Sequence, residues 1–322
     1  MKTIIQILLG LFLGIASMWW AIKNVEIANL WQYFSQVNFL DIIGLAILFM
    51  IQQLLRAHRQ QLLFPQLSYR ASLMVLCVGF FFINTLPARI GELSRPLLLK
   101  ERENIPLSSS FAMVFTERLL DLIFAFLLAL LFLAFADIPI MESNWSARIA
   151  TSAQFVLPIA ILSLMIGMLL GNRITEYLPH RIHQKLQPFF DTLEKQRSKI
   201  IHIVVSSTII WGMTPLLFLL GGRSFNLDLE YVEGVGLLGF TMLGMAAPNA
   251  PGFAGTYEAS FLAGLQVMGI PDQTRNFAFA FGFHWWVYIV QSISALYFFA
   301  TQRISIQKTL QQLRQLRVNS KA

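Results

Sequence analysis

Three short stretches of the chain concentrate residue types that could do chemistry. The first holds Asn84, Pro87, Arg89, Gly91, Glu92 and Arg95, so three charges fall within seven residues, with apolar sequence on both sides. Charges in such surroundings are costly unless paired or wet. Either Arg89 or Arg95 holds an anionic group that Glu92 helps to orient, or the stretch is a cytoplasmic turn whose ion pairs cap a helix. Pro87 and Gly91 force an open backbone, which favours the first reading. The second stretch is Glu117, Arg118 and Asp121, spaced to share one broad helix face. At about 1.5 Å per residue it lies roughly 12–18 Å along its helix. It either locks that helix to the first stretch by an ion pair or lines a substrate path. The third stretch holds Pro248, Pro251, Gly252, Gly255 and Glu258. Its glycines leave backbone N–H groups free, and a helix starting near Thr256 would turn its positive end toward an anion. Glu258 is either part of that site or a helix-start acid.

Little else in the chain is reactive. His284 sits mid-helix among aromatic residues and reads as a packing residue. His58, His180, His183 and His202 lie near cytoplasmic ends without metal-ligand spacing, and Cys77, the one cysteine, lies in an apolar run. No nucleophile motif, phosphate-binding loop or dinucleotide fingerprint occurs. The expectation is a protein that is not an enzyme, with no catalytic residues, metal or cofactor.

The elements that must position these stretches are membrane helices. Of 322 residues, 56% are hydrophobic and 13% charged, against roughly 25% charged in an average soluble domain. The mean hydropathy is +0.61. A net charge of +7 could suggest nucleic acid, but the basic residues sit in short loops, where positive-inside bias accounts for them. No nucleic-acid partner is expected. Spanning helices need about 20 mostly apolar residues, and six segments supply them: 4–22, 39–55, 109–136, 155–171, 200–220 and 277–301. The first ends in Trp19 and Trp20, which suits an interfacial anchor rather than a cleaved signal. Two further apolar segments run into the Pro/Gly-rich stretches near Pro87 and Pro251, where helices must stop.

Loop charges set the topology. Arg56, Arg59 and Arg70, the basic segment 172–199, and the tail with Arg303, Lys308, Arg314, Arg317 and Lys321 belong in the cytoplasm. Segments 137–148 and 221–233, richer in acid than base, belong outside. Eight simple spans would put basic residues 89–102 outside. The conflict disappears if residues 71–100 form a re-entrant hairpin from the cytoplasm and 231–270 another from outside. Residues 39–136 and 200–301 then become helix, hairpin, helix in opposite orientation. Phe39 precedes Pro87 by 48 positions and Ile200 precedes Pro251 by 51. Inverted repeats with paired broken helices mark transporters whose site lies where the breaks meet. The fold expected is an all-α polytopic membrane protein: one integral membrane domain over 1–322, with six spanning helices and two broken hairpins, eight hydrophobic segments in all.

At these residues the sequence resembles the membrane region of the lysylphosphatidylglycerol synthase family and its stand-alone flippase-like relatives. The resemblance rests on three ordered blocks: Asn-x-x-Pro-x-Arg-x-Gly-Glu-x-x-Arg at 84–95, Glu-Arg-x-x-Asp at 117–121, and Pro-x-x-Pro-Gly-x-x-Gly-x-x-Glu at 248–258. Pro96, Phe253 and Ala254 depart from what relatives often carry. The resemblance implies a bacterial inner-membrane protein that moves a polar phospholipid or glycolipid across the bilayer. It also implies both termini in the cytoplasm, no synthase domain within these residues, and envelope-biosynthesis enzymes as partners. Arg89, Arg95 and Arg118 would bind phosphate, while Glu92, Glu117, Asp121 and Glu258 would pair and tune them. Two other readings remain open: an intramembrane enzyme using Glu92 or Asp121 as base on lipid headgroups, and a non-catalytic membrane partner of a glycosyltransferase.

Overall fold

The computed structural model describes residues 2–86, 91–135, 144–246 and 250–319, so Pro87, Arg89 and Pro248 lie outside the described residues. The described chain is helical almost throughout. Helices α1 (Lys2–Ile22) and α2 (Ile27–Ser35) precede α3 (Phe39–Leu63), α4 (Tyr69–Thr85), α5 (Ser94–Glu103) and α6 (Leu107–Phe135). Then come α7 (Asn144–Glu176) and α8 (His180–Arg197). Helices α9 (Ile200–Ser224), α10 (Tyr231–Ala246), a 3-10 turn at Pro251–Phe253, α11 (Thr256–Val267), α12 (Gln273–Thr301) and α13 (Ile306–Asn319) complete the order.

The local sequence explains where helices begin and end. Asn38 accepts from the Leu40 N–H at 3.0 Å, Ser68 from Ala71 at 3.1 Å and Asp272 from Arg275 at 2.9 Å, capping α3, α4 and α12. Helix α5 ends on Asn104, whose φ of 53° lies in the left-handed region that asparagine tolerates. Four helices are long and apolar enough to cross a membrane: α3, α6, the Gln154–Glu176 part of α7, and α9. A fifth is reached if Leu8–Ile22 and Ile27–Ser35, bent by 83°, count as one span. Six were expected from the sequence. The sixth, α12, has the length, at 29 residues, but is not apolar enough by composition. Large apolar side chains such as Phe12, Ile47, Phe155, Ile201 and Ile293 stand exposed along the long helices. Such a surface belongs in a bilayer rather than in water.

Among the described residues the core has two large clusters, with a small third one where Ala21 of α1 meets Leu262 of α11 and Phe277 of α12. The first joins Leu63 of α3, Met113 of α6, Ile203 of α9 and Phe298 of α12. The second takes Leu45 of α3, Phe218 of α9 and Phe279 of α12, with Phe124 of α6 packed against it. Helices α4 and α5 contribute to the first core through Val75, Phe82 and Leu99; α10 and α11 contribute to the second through Leu237, Phe261 and Leu265. Helices α3 and α9 pack side by side and antiparallel. Asp41 meets Arg223 at 3.5 Å, Gln52 donates to the Ile210 carbonyl at 3.1 Å, and Arg59 donates to the Ser207 hydroxyl at 3.2 Å, so numbers rising along α3 fall along α9. Helix lengths also match between the two halves: 25, 17, 10 and 29 residues for α3–α6, and 25, 16, 12 and 29 for α9–α12.

Candidate functional site

The first stretch touches the third. Helix α4 packs against the 3-10 turn at Pro251–Phe253. A Cβ on Gly252 would stand 3.5 Å from the Asn84 carbonyl oxygen and 3.5 Å from the Tyr288 ring, and its φ of 66° suits glycine. Asn84 donates to Gln291 of α12 at 2.6 Å, so α12 supplies the floor on which both breaks rest. The first helix covers the junction: Gly14 packs against Ala250 and Ala254, and Gly255, at φ 85°, lies against the Gly14 backbone. A side chain at Gly14 or Gly255 would push α1 away from the break.

At the third stretch the Gly255 N–H is taken up locally, donating to a Glu258 oxygen at 2.7 Å. The other Glu258 oxygen shares a hydrogen bond of 2.7 Å with His284 Nδ1, and the Tyr257 ring stacks on the imidazole with centroids 4.2 Å apart. Glu258 is fully buried. It is therefore a helix-start carboxylate with a tertiary partner, and His284 is that partner rather than a lone packing residue. In the structure Glu117 is ten residues after Leu107, the start of α6, and His284 eleven after Gln273, the start of α12, a match that the sequence segments alone did not point to.

The second stretch meets the first by an ion pair. Arg95 Nη1 lies 2.6 Å from a Glu117 oxygen, with side-chain exposures of 7% and 4%. The helix lock anticipated for Glu117 is thus formed with Arg95, whereas Glu92, half-buried, makes no hydrogen bond or ion pair among the described residues. The Ser94 hydroxyl donates to the Gly91 carbonyl at 2.5 Å and helps start α5. Gly91 packs so closely on the Phe82 carbonyl that no larger residue fits.

Asp121 has a partner that the loop reading hid. Helix α3 does not stop at Leu55 but runs on to Leu63, which puts Arg56 and Arg59 inside the bundle rather than in a loop. Arg59 donates to Asp121 at 3.1 Å, and Trp211 Nε1 donates to the same oxygen at 3.1 Å. Arg118 is 3.8 Å from the other Asp121 oxygen, with its side chain 47% exposed. Arg56 lies within reach of the charges of Asp121, Arg59, Glu117 and Arg118. Around this cluster Thr116 donates to Gln196 at 2.7 Å, and Gln196 donates to the Leu63 carbonyl at 3.1 Å. The end of α8 thereby closes the cluster on one side.

Residues 7–295 match the family described as the lysylphosphatidylglycerol synthase TM region. The chain belongs to that family. No curated protein and no solved structure matches it. Family membership and the apolar helices together make it a multi-pass membrane protein with a lipid-related role. In this member of the lysylphosphatidylglycerol synthase TM family, the three sequence blocks become two neighbouring polar centres. One is the arginine–carboxylate cluster of α3, α5 and α6. The other is the Asn84–Gly252 junction with the Glu258–His284 pair beside it. Among the described residues no three His, Cys, Asp or Glu side chains converge as metal ligands would.

Proposed function

We propose that this chain is a flippase-like transporter that moves a polar lipid, phospho- or glycolipid, across the bacterial inner membrane, with both termini in the cytoplasm. The observation that carries this reading is the meeting of the two breaks, where the Asn84 carbonyl faces Gly252 above the Asn84–Gln291 hydrogen bond. Non-helical backbone at membrane depth persists where protein or a wet cavity surrounds it. Transporters built from inverted repeats place their substrate site at such a junction.

Three further features support the repeat. The helix lengths of the two halves agree, α3 and α9 run antiparallel, and each short-helix pair belongs to a different core. Asn84, Pro87, Arg89, Gly91, Glu92, Arg95, Glu117, Arg118, Asp121, Pro248, Pro251, Gly252, Gly255 and Glu258 form the substrate path in this reading. The acyl chains stay in the bilayer.

The test is reconstitution of the purified chain into vesicles carrying a fluorescent phospholipid or glycolipid on one leaflet, read by chemical quenching from outside. The wild type should equilibrate the label faster than empty vesicles, and Asn84→Ala should slow it while the protein stays folded. Equal rates with and without protein for both lipid classes would remove the transport reading.

A further inference from the structure

Helix α1 precedes both matched sets of four helices and lies over the Asn84–Gly252 junction. Its docked face is made of small residues. Gly10, Gly14 and Ala21 are buried, whereas Leu8, Phe12, Ile15 and Trp19 are 59–71% exposed. Among the described residues, no side chain from Leu8 to Ile22 makes a hydrogen bond or ion pair. The helix rests on α11 by close packing, with Gly14 against Ala250, Ala254 and Gly255. In a bilayer such a contact can be given up without a hydrophobic cost, because lipid tails take the place of the partner helix. The other end of α1 is fastened. Ala21 is fully buried with Leu262 of α11 and Phe277 of α12. Beyond it the chain bends by 83° into α2, which is tied to the start of α12. There the Glu26 N–H donates to the Thr274 hydroxyl at 3.1 Å, and the Tyr33 hydroxyl donates to Asp272 at 2.8 Å.

The region beside this cover holds an unsatisfied donor. Trp285 Nε1 is buried without a hydrogen-bond partner, and a buried N–H without an acceptor is costly. Trp285 packs edge-on against Tyr288 with centroids 5.4 Å apart, and Tyr288 borders Gly252. Phe281, one turn before Trp285 on α12, packs against the same Ala21 cluster as Met18 and Trp20 of α1. An aromatic face of α12 therefore leads from α1 to the junction. We propose that α1 is a hinged cover. It pivots about its Ala21 end, so that the half from Leu8 to Gly14 swings away from Ala250 and Gly255 and opens the junction to the bilayer. The docked position is the resting one, and opening is an excursion from it. Covers of this kind turn about a few residues at the end of an element while the rest moves as a rigid body. This inference rests on the lipid-transport reading for its purpose and names the element that admits the headgroup.

Two measurements on the full chain test it, both with Cys77→Ala as background. In the first, spin labels sit on Phe12→Cys of α1 and Ile293→Cys of α12, both exposed positions, and their separation is read by double electron–electron resonance in lipid nanodiscs. A docked distance and a second, longer population are expected. A single narrow population would mean that α1 stays in place, and it overturns the proposal. In the second, Met18→Cys and Ala259→Cys, which pack against one cluster, are joined by a short cleavable thiol cross-linker. Lipid movement in vesicles is then followed before and after the bridge is reduced. The bridged protein should fall to the rate of empty vesicles, and reduction should restore movement. Undiminished movement by the bridged protein overturns the cover and keeps transport. If the wild type itself moves no lipid, transport is removed, and the spin-label distances decide whether α1 opens. They decide it equally if the bridged variant fails to fold.

Discussion

Glu117→Gln isolates what the buried ion pair between α5 and α6 contributes. Among the described residues Arg95 has its one ionic partner in Glu117, at 2.6 Å, and is itself 5% exposed. Glutamine keeps the shape and one acceptor but removes the charge. With charge centres about 4 Å apart and an effective dielectric near 20, the lost attraction is about 4 kcal/mol. Arg95 would remain charged and buried, and breaking a buried pair from one side costs about 3–5 kcal/mol. We expect the apparent melting midpoint in detergent, followed by tryptophan fluorescence, to fall by about 5–10 °C. The double variant Arg95→Met with Glu117→Leu removes both charges and should recover most of the loss, because burying two ions has its own desolvation cost. Arg95→Met alone should cost less than Glu117→Gln, because Glu117 keeps the charge of Arg59 nearby. A fall of less than about 1 °C for Glu117→Gln would show that Arg95 is compensated by something other than Glu117. A double variant as unstable as the single ones would show that packing, not charge, holds α5 to α6. Either result would refute the ion-pair argument.

Other perturbations read other parts of the architecture. Gly255→Val places a branched side chain at φ 85° against the Gly14 backbone and should prevent α1 from docking, seen as loss of folded protein by size-exclusion chromatography. Glu258→Gln weakens the His284 hydrogen bond and the Gly255 cap, and should lower stability by about 1–3 kcal/mol, measured by denaturant titration in detergent. Cysteines placed at Arg70, Lys100 and Lys185 should be labelled from the cytoplasm and one at Asp228 from outside; labelling of the Lys100 position from outside would break the first re-entrant hairpin. Asn84→Ala leaves Gln291 without its partner at 2.6 Å and should cost about 1–2 kcal/mol in the same titration, with lipid movement falling more than stability does.

The sequence made the helices legible because apolar runs of spanning length leave few alternatives. Segment 200–220 became α9 at Ile200–Ser224, and 109–136 became α6 at Leu107–Phe135. What it hid lay at helix ends. Arg56 and Arg59, with Gln60 and Gln61 after them, lie just beyond the spanning segment 39–55 and read as a loop. Yet α3 continues through them, because α9 offers Ser207, Ile210 and Thr214 as partners at matching heights. Such partners lie about 150 positions away along the chain, beyond any local pattern. Helices α2, α8 and α13 were missed because their mixed composition gives neither a spanning run nor a clear break. The three blocks, by contrast, were legible because proline, glycine and charge are rare in apolar helices and stand out wherever they cluster.

The deeper regularity lies in how each break is fastened. In the first half, the second residue of α5, Arg95, reaches Glu117 on the following long helix. In the second half, the third residue of α11, Glu258, reaches His284 on the following long helix. Glu117 and His284 stand ten and eleven residues from their helix starts, so the two fastenings occupy matching places with the charge reversed: cation on the short helix in one half, anion in the other. A break in a helix leaves backbone groups to satisfy, and a charged pair from its short second arm to the next helix fixes where that arm lies. Replacing His284 with glutamine, which can still donate to Glu258, should keep most of the fastening. His284→Phe removes it and should lower stability by about 1–3 kcal/mol, measured by denaturant titration in detergent. Equal stability of His284→Phe and wild type would show that ring packing on Tyr257, and not the hydrogen bond, holds the second break.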